Sequence, residues 1–237
     1  IGWISTRHVV IDVREIGPVD WKGLIDHRAS PMEWNVAGAK LIERVARTDR
    51  FEIRSRILGK LRSIIAEKGG LWARVAPYPA PYRSAFNLRV DLDEQVEEDY
   101  LAFAKAREPI DECTTHFVGT RAYGASSRVL ADLLPLDTQS HGHHHHIYRE
   151  PEANLANLER AERILRDRGF RVSGFAAPHG RWNPGLDLVL EELGYLYSSD
   201  FSIGRDDYPF FPWREDRFSE VLQVPIHPVC EGLFLDA

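Results

Sequence analysis

Hydrophobic and polar positions first alternate cleanly at Phe86–Asp93. Phe86, Leu88, Val90 and Leu92 interleave there with Asn87, Arg89, Asp91 and Asp93, the period of two that predicts a strand. From this point the pattern switches repeatedly between strand and helix. Glu97–Arg107 predicts a helix, Thr114–Gly119 a strand, Ser127–Leu134 a helix and Asp137–Ser140 a short strand. Pro151 opens a helix whose apolar stripe is Leu155, Leu158, Ala161 and Leu165, and Gly169 ends it. Arg171–Ala177 predicts a strand. Asn183-Pro184 then caps a helix lined by Leu186, Leu190 and Leu193, which stops at Gly194. Tyr195–Phe201 and Val221–Ile226 complete the strands.

The first 84 residues are less regular. His8–Val13 predicts a short buried strand, and apolar residues recur at helical spacing over Val36–Arg47 and Arg54–Glu67, with Gly69-Gly70 as a stop. Leu71–Tyr82, with three prolines, predicts an extended connector. The expected organisation is an extension over residues 1–84 packed on a catalytic domain over 85–237. Alternation of strand and helix with short connections predicts an α/β fold with a parallel sheet, either a barrel or a doubly wound sheet. In both, functional groups gather where strands end.

Composition narrows the partners. Of 237 residues 43% are hydrophobic and 28% charged, ordinary for a globular chain long enough for a full core. A net charge of −6 disfavours nucleic acid or an anionic membrane as partner. No apolar run approaches the length of a transmembrane helix. No signal-peptide pattern precedes the domain, and Cys113 and Cys230 make no disulfide framework, so the expected compartment is the cytoplasm.

Candidate chemistry concentrates in Ser140–Arg149, which holds five of the ten histidines. A run of four, placed mid-chain, does not resemble an affinity tag. His141 and His145 are the useful pair. Along an extended strand they would lie roughly 13 Å apart, too far to share an ion. On a helical turn their Cβ atoms come within about 5–6 Å. A metal site therefore requires the chain to curl immediately after a strand end, and a carboxylate from elsewhere must complete it. Asp91 and Asp93 share one strand face, about 6–7 Å apart, and two such carboxylates are costly without a positive neighbour. Asp91 and Asp93, His141 and His145, Pro178–Arg181, Asp200 and His227 all fall at or just after the ends of separate predicted strands.

Taken in order, RVDLDE, SHGHHHH, FAAPHGRWNP and VPIHP resemble the polysaccharide deacetylase family, also called NodB homology or carbohydrate esterase family 4. The resemblance covers about Phe86 to Pro228, and is nearest to bacterial members associated with O-antigen and other surface polysaccharides. It implies an irregular (β/α) barrel of about seven strands and one divalent metal, usually zinc. By position it makes Asp93, His141 and His145 the metal ligands, Asp91 the catalytic base and His227 the general acid. Asp200 would orient that last histidine, and His179, Arg181 and Trp182 would line the substrate. One carboxylate and two imidazoles leave a coordination position for water, as catalytic zinc requires. The implied reaction is hydrolysis of the N-acetyl group of an amino sugar in a polysaccharide or glycolipid precursor. The same site would also serve a deformylase or another non-peptide amide hydrolase.

One departure stands out. The family places an arginine two residues before the proline of the third segment, where it steadies the base. Ala176 stands there instead, leaving Arg181 or Arg89 to supply the charge. That loss motivates a third reading, a metal-retaining sugar-binding protein with impaired catalysis. His143, His144 and His146 are expected to be loop residues, and His116 a packed one.

Overall fold

The computed structural model describes residues 3–5, 10–18, 29–36, 39–46, 50–73, 78, 80–83, 85–93, 97–123, 128–200, 209–212, 214 and 217–226. They divide into two compact units, the first falling within Ile1–Pro77 with Ile226 added, the second within Tyr78–Ser202 and Tyr208–Pro225.

In the first unit, β1 (Trp3–Ser5) pairs antiparallel with β2 (Val10–Asp12), and β3 (Ala29–Val36) with β4 (Ala39–Ala46). Helix α1 spans Arg50–Glu67, and its Lys60 meets Glu15 at 2.6 Å. Of the helix expected over Val36–Arg47, the described residues are therefore strand, Val36 ending β3 and Ala39–Ala46 forming β4. Eight consecutive pairs, from Ala29↔Ala46 to Val36↔Ala39, give the backbone of this segment its partners across the hairpin. In an eight-residue stretch such as AKLIERVA the apolar spacing fits either period, and long-range pairing decides.

The second unit carries one six-stranded parallel sheet. Its strands are β5 (Leu88–Leu92), β6 (Thr114–Val118), β7 (Thr138–Ser140), β8 (Gly174–Ala176), β9 (Tyr197–Ser199) and β10 (Leu222–Gln223), and they lie in sequence order. Helices α2 (Glu97–Arg107), α3 (Arg128–Leu133), α4 (Pro151–Asp167) and α5 (Pro184–Glu192) fall between them. This is the expected α/β arrangement, with six strands among the described residues forming a curled half-barrel.

The curl has a direct sign. β5 and β9 stand four strands apart, about 19 Å if the sheet were flat. Yet Arg89 Nη1 of β5 donates to the Ser199 carbonyl of β9 at 2.5 Å. An arginine side chain spans that gap only if the sheet bends round until its first and fifth strands face each other.

Alternation sorts the two faces of β5. Leu92 is buried in an apolar cluster with Tyr100, Val118, Leu130 and Leu165, and Val90 packs against it. Arg89 and Asp91 point the other way, where the Arg89 guanidinium lies over the Phe117 ring. A second cluster gathers Leu158, Phe175, Leu186, Leu190 and Val221. The predicted stripes of α4 and α5 thus become core, and Asn183 caps α5 by accepting from the Leu186 N–H at 2.8 Å.

Gly119 lets β6 close against the end of β5. Its N–H donates to the Leu92 carbonyl at 2.9 Å, and an added Cβ would meet the carbonyl oxygens of Asp93 and Leu92 at 3.0 and 3.1 Å. Both contacts are backbone, so the strand ends must part to admit a methyl group. Gly119→Ala should cost about 1–3 kcal/mol, read from the urea unfolding midpoint. Stability equal to the parent's would refute this close approach.

Candidate metal centre

β5 and β7 end side by side with one strand between them, and the residues just beyond those ends converge. His141 Nε2 lies 3.0 Å from Asp93 Oδ1 and 3.9 Å from Asp91 Oδ2, while His145 Nε2 lies 3.2 Å from Asp93 Oδ2. Ligand atoms of Asp93, His141 and His145 all fall within 4.8 Å of one another. The imidazole centroids of His141 and His145 are 5.1 Å apart.

The chain does curl after β7, but not as a helix. Gly142 turns it with φ 82, and an Asn157 side chain holds the bend that follows. Asn157 Oδ1 accepts from the N–H groups of His143 (3.1 Å) and His144 (2.6 Å), and its Nδ2 donates to the carbonyls of His144 (3.2 Å) and His146 (3.4 Å). One turn earlier on α4, Asn154 accepts from the Tyr148 N–H and donates to its carbonyl. Reading the sequence for site residues missed both asparagines. Their signal was present: two amides three apart on the apolar side of a helix, where asparagine has poor propensity and needs a reason to be.

Proton placement tests whether these residues fit a metal. His141 Nδ1 is 2.7 Å from the Ala176 carbonyl, an oxygen that can only accept, so Nδ1 carries the hydrogen. The Nε2 lone pair then faces the Asp93 carboxylate. Both Asp93 Oδ1 and His141 Nε2 are buried and lack a hydrogen-bond partner among the described residues. Two buried acceptors at 3.0 Å repel unless a cation, either a second proton on His141 or a metal ion, lies between them. With His145 on the other carboxylate oxygen, the donor set suits zinc. Burial acts to raise the Asp93 carboxyl, but with a proton on the facing imidazoles their charge and hydrogen bond more than offset it and hold it below its ordinary value.

Arg89, one of the two arginines expected near position 176, grips Asp91. Its Nε donates to Asp91 Oδ1 at 2.6 Å and its Nη2 to Asp91 Oδ2 at 2.5 Å, a two-pronged grip, while Nη1 reaches Ser199. Ser199 is the register partner of Ala176, so a guanidinium from β5 ends beside the position the family's arginine would start from.

The remaining candidates are dispersed. Pro178–Gly180 forms a single 3-10 turn in which His179 adopts the left-handed region, φ 56. That conformation is costly for a side-chain-bearing residue. His179 is exposed, with its ring centroid 4.6 Å from that of His145. Arg181 is exposed, and Trp182 is half-buried with its Nε1 unpartnered among the described residues. Asp200 is buried, accepting from the Ala177 N–H at 2.8 Å and the Ser198 hydroxyl at 2.5 Å. Burial pushes its carboxyl up to about 6. His227 and Cys230 lie outside the described residues. His116 is wholly buried, its ring edge-on to Phe103 and its pKa lowered by burial.

No family model matches the sequence, and no curated protein does. Solved structures are similar at low identity. They include a putative polysaccharide deacetylase from Mycobacterium smegmatis (16% identity, TM-score 0.49, 66% of this chain and 64% of that one). The deacetylase PplD of Streptococcus pyogenes aligns at 12% identity and TM-score 0.46, over 87% and 98% of the two chains. A carbohydrate esterase family 4 pseudoenzyme from Bacillus anthracis aligns at 11% and 0.41, over 75% and 71%. This chain spans under two thirds of the length of the first. Likenesses this distant transfer no activity.

Two outcomes follow from the loop chemistry. Asn157→Ala should weaken zinc binding by about 10–100-fold, as loss of outer-shell partners does, measured by competition with a chromophoric chelator. Unchanged affinity would mean the bend forms without the amide. The second concerns His143, which is buried with its Nδ1 3.1 Å from Thr120 Oγ1. Burial pushes its imidazole down to about 4. Between about pH 6.5 and 4 the unfolded chain therefore binds a proton that the folded chain refuses, so stability falls as pH falls through that window. His143→Asn should flatten this part of the urea stability–pH curve; parallel curves would show that His143 titrates alike folded and unfolded.

Proposed function

We propose that residues 85–237 form a metal-dependent hydrolase that removes the N-acetyl group from an amino sugar of a polysaccharide or glycolipid precursor. The observation that carries this reading is the buried acceptor pair of Asp93 and His141, with His145 completing the set. Asp93, His141 and His145 hold the ion. Zinc bound there supplies a Lewis acid for the acyl oxygen and makes a neighbouring water acidic.

Asp91 takes the water's proton as the amide carbonyl is attacked. It stands beside the ligand cluster, and Arg89 fixes its plane from behind. A carboxylate has about four lone-pair positions, so two bonds to Arg89 leave others for the water. His227, placed by the VPIHP motif, delivers a proton to the departing amine. His179, Arg181 and Trp182 belong to the third motif, on the loop after β8, and supply contacts to the sugar.

The binding-protein reading drew its motive from Ala176, and the grip of Arg89 on Asp91 supports the hydrolase reading over it. Substrate and base are tested together. The zinc-loaded parent and Asp91→Asn are offered a panel of N-acetylated and N-formylated amino sugars. The parent should release acetate. Asp91→Asn should keep its zinc and melting temperature while losing on the order of 10²–10⁴ in turnover. Turnover equal to the parent's would remove Asp91 as the base. Release of formate alone would replace the deacetylase with a deformylase, and zinc binding without any acyl release would favour the binding protein.

A further inference from the structure

We propose that Asp200 is a positioning residue for the metal ligand His141, acting through the one peptide group that joins Ala176 to Ala177. This rests on the metal-site reading above. The Ala177 N–H donates to Asp200 Oδ1 at 2.8 Å, and the Ala176 carbonyl accepts from His141 Nδ1 at 2.7 Å. Those two bonds use the two ends of the same amide plane. A carboxylate, a peptide and an imidazole therefore stand in series behind the metal position.

Each member of the series is shut away from water. Asp200 is 2% exposed, Ala176 and Ala177 0% and His141 1%. In such surroundings hydrogen bonds in a chain polarise one another. Negative charge on Asp200 draws the Ala177 hydrogen and shifts electron density towards the Ala176 oxygen. That oxygen then pulls harder on the Nδ1 hydrogen, which makes Nε2 a better donor to a cation. Histidine ligands commonly owe tautomer and basicity to a carboxylate or carbonyl on the far nitrogen. Here both are present, one behind the other.

The series also needs its carboxylate charged. Burial raises the Asp200 carboxyl, but only to about 6, so it is ionised at neutral pH. Ser198 donates to its second oxygen, the one turned away from Ala177. The role differs from that expected on resemblance, where Asp200 serves His227.

Asp200→Asn separates charge from shape, because the amide oxygen still accepts from the Ala177 N–H. Zinc affinity is measured by chelator competition at pH 7.5 on the full chain, with thermal melting of the metal-free protein alongside. Asp200→Asn should bind zinc about tenfold or more weakly at an unchanged melting temperature. Ser198→Ala, which keeps the charge, should bind near the parent's affinity. Parent-like affinity in Asp200→Asn overturns the proposal, and so does an equal loss in Ser198→Ala. A parent that binds no zinc at all sinks the metal centre itself, a separate failure. If Asp200→Asn does not fold, nitrogen-15 spectra of the zinc-loaded parent decide. A His141 hydrogen on Nδ1, coupled through its bond to the Ala176 carbonyl, supports the series; a hydrogen on Nε2 overturns it.

Discussion

Everything around the site follows from one unfavourable meeting, that of the buried Oδ1 of the half-exposed Asp93 carboxylate with the buried Nε2 of His141. Left alone, two acceptors 3.0 Å apart would separate. They are kept together by elements with no freedom to move. Asp93 follows directly on β5, whose Leu92 is locked into the core. His141 follows directly on β7, and the Ala176 carbonyl holds its other nitrogen. The fold thus stores a local repulsion that a cation relieves, the usual way a protein prepares a site before its ligand arrives.

Arg89 shows how the same electrostatic need can be met from a different place in the chain. A carboxylate beside a metal centre requires a fixed positive partner to hold its plane. Arg89 grips Asp91 from two residues earlier on the same face of β5, and the curl of the sheet lets its third nitrogen reach the Ser199 carbonyl of β9. Position in sequence matters less than position on the inner face.

Much of this was legible in the pattern of residues. Alternation at Phe86–Asp93 put Arg89, Asp91 and Asp93 on one face, and the spacing of His141 and His145 demanded a curl after a strand. Prolines and glycines marked α4 and α5 at both ends because those residues constrain the backbone locally. The hairpin of β3 and β4 was illegible for the opposite reason, since its strands are stabilised by each other and not by their own periodicity. Asn154 and Asn157 escaped notice because their partners are backbone groups of a loop, which leave no imprint on residue type. The left-handed backbone of His179 was likewise silent, since glycine is what such a position normally advertises.

The histidine run itself repays closer thought, because its members do different jobs with one side chain. His141 and His145 turn towards Asp93, whereas His143 turns away to Thr120 and is kept neutral by burial. The division is made by backbone geometry, since all three side chains are the same imidazole. Gly142 reverses the chain with a positive φ, and Asn157 then clamps two successive N–H groups so that side chains 143 and 145 leave in different directions. A neutral, buried His143 adds no charge beside the Asp93, His141 and His145 cluster. Selectivity among identical ligands is thus set by an amide on a neighbouring helix, and the chemistry of the centre is inseparable from the packing of α4.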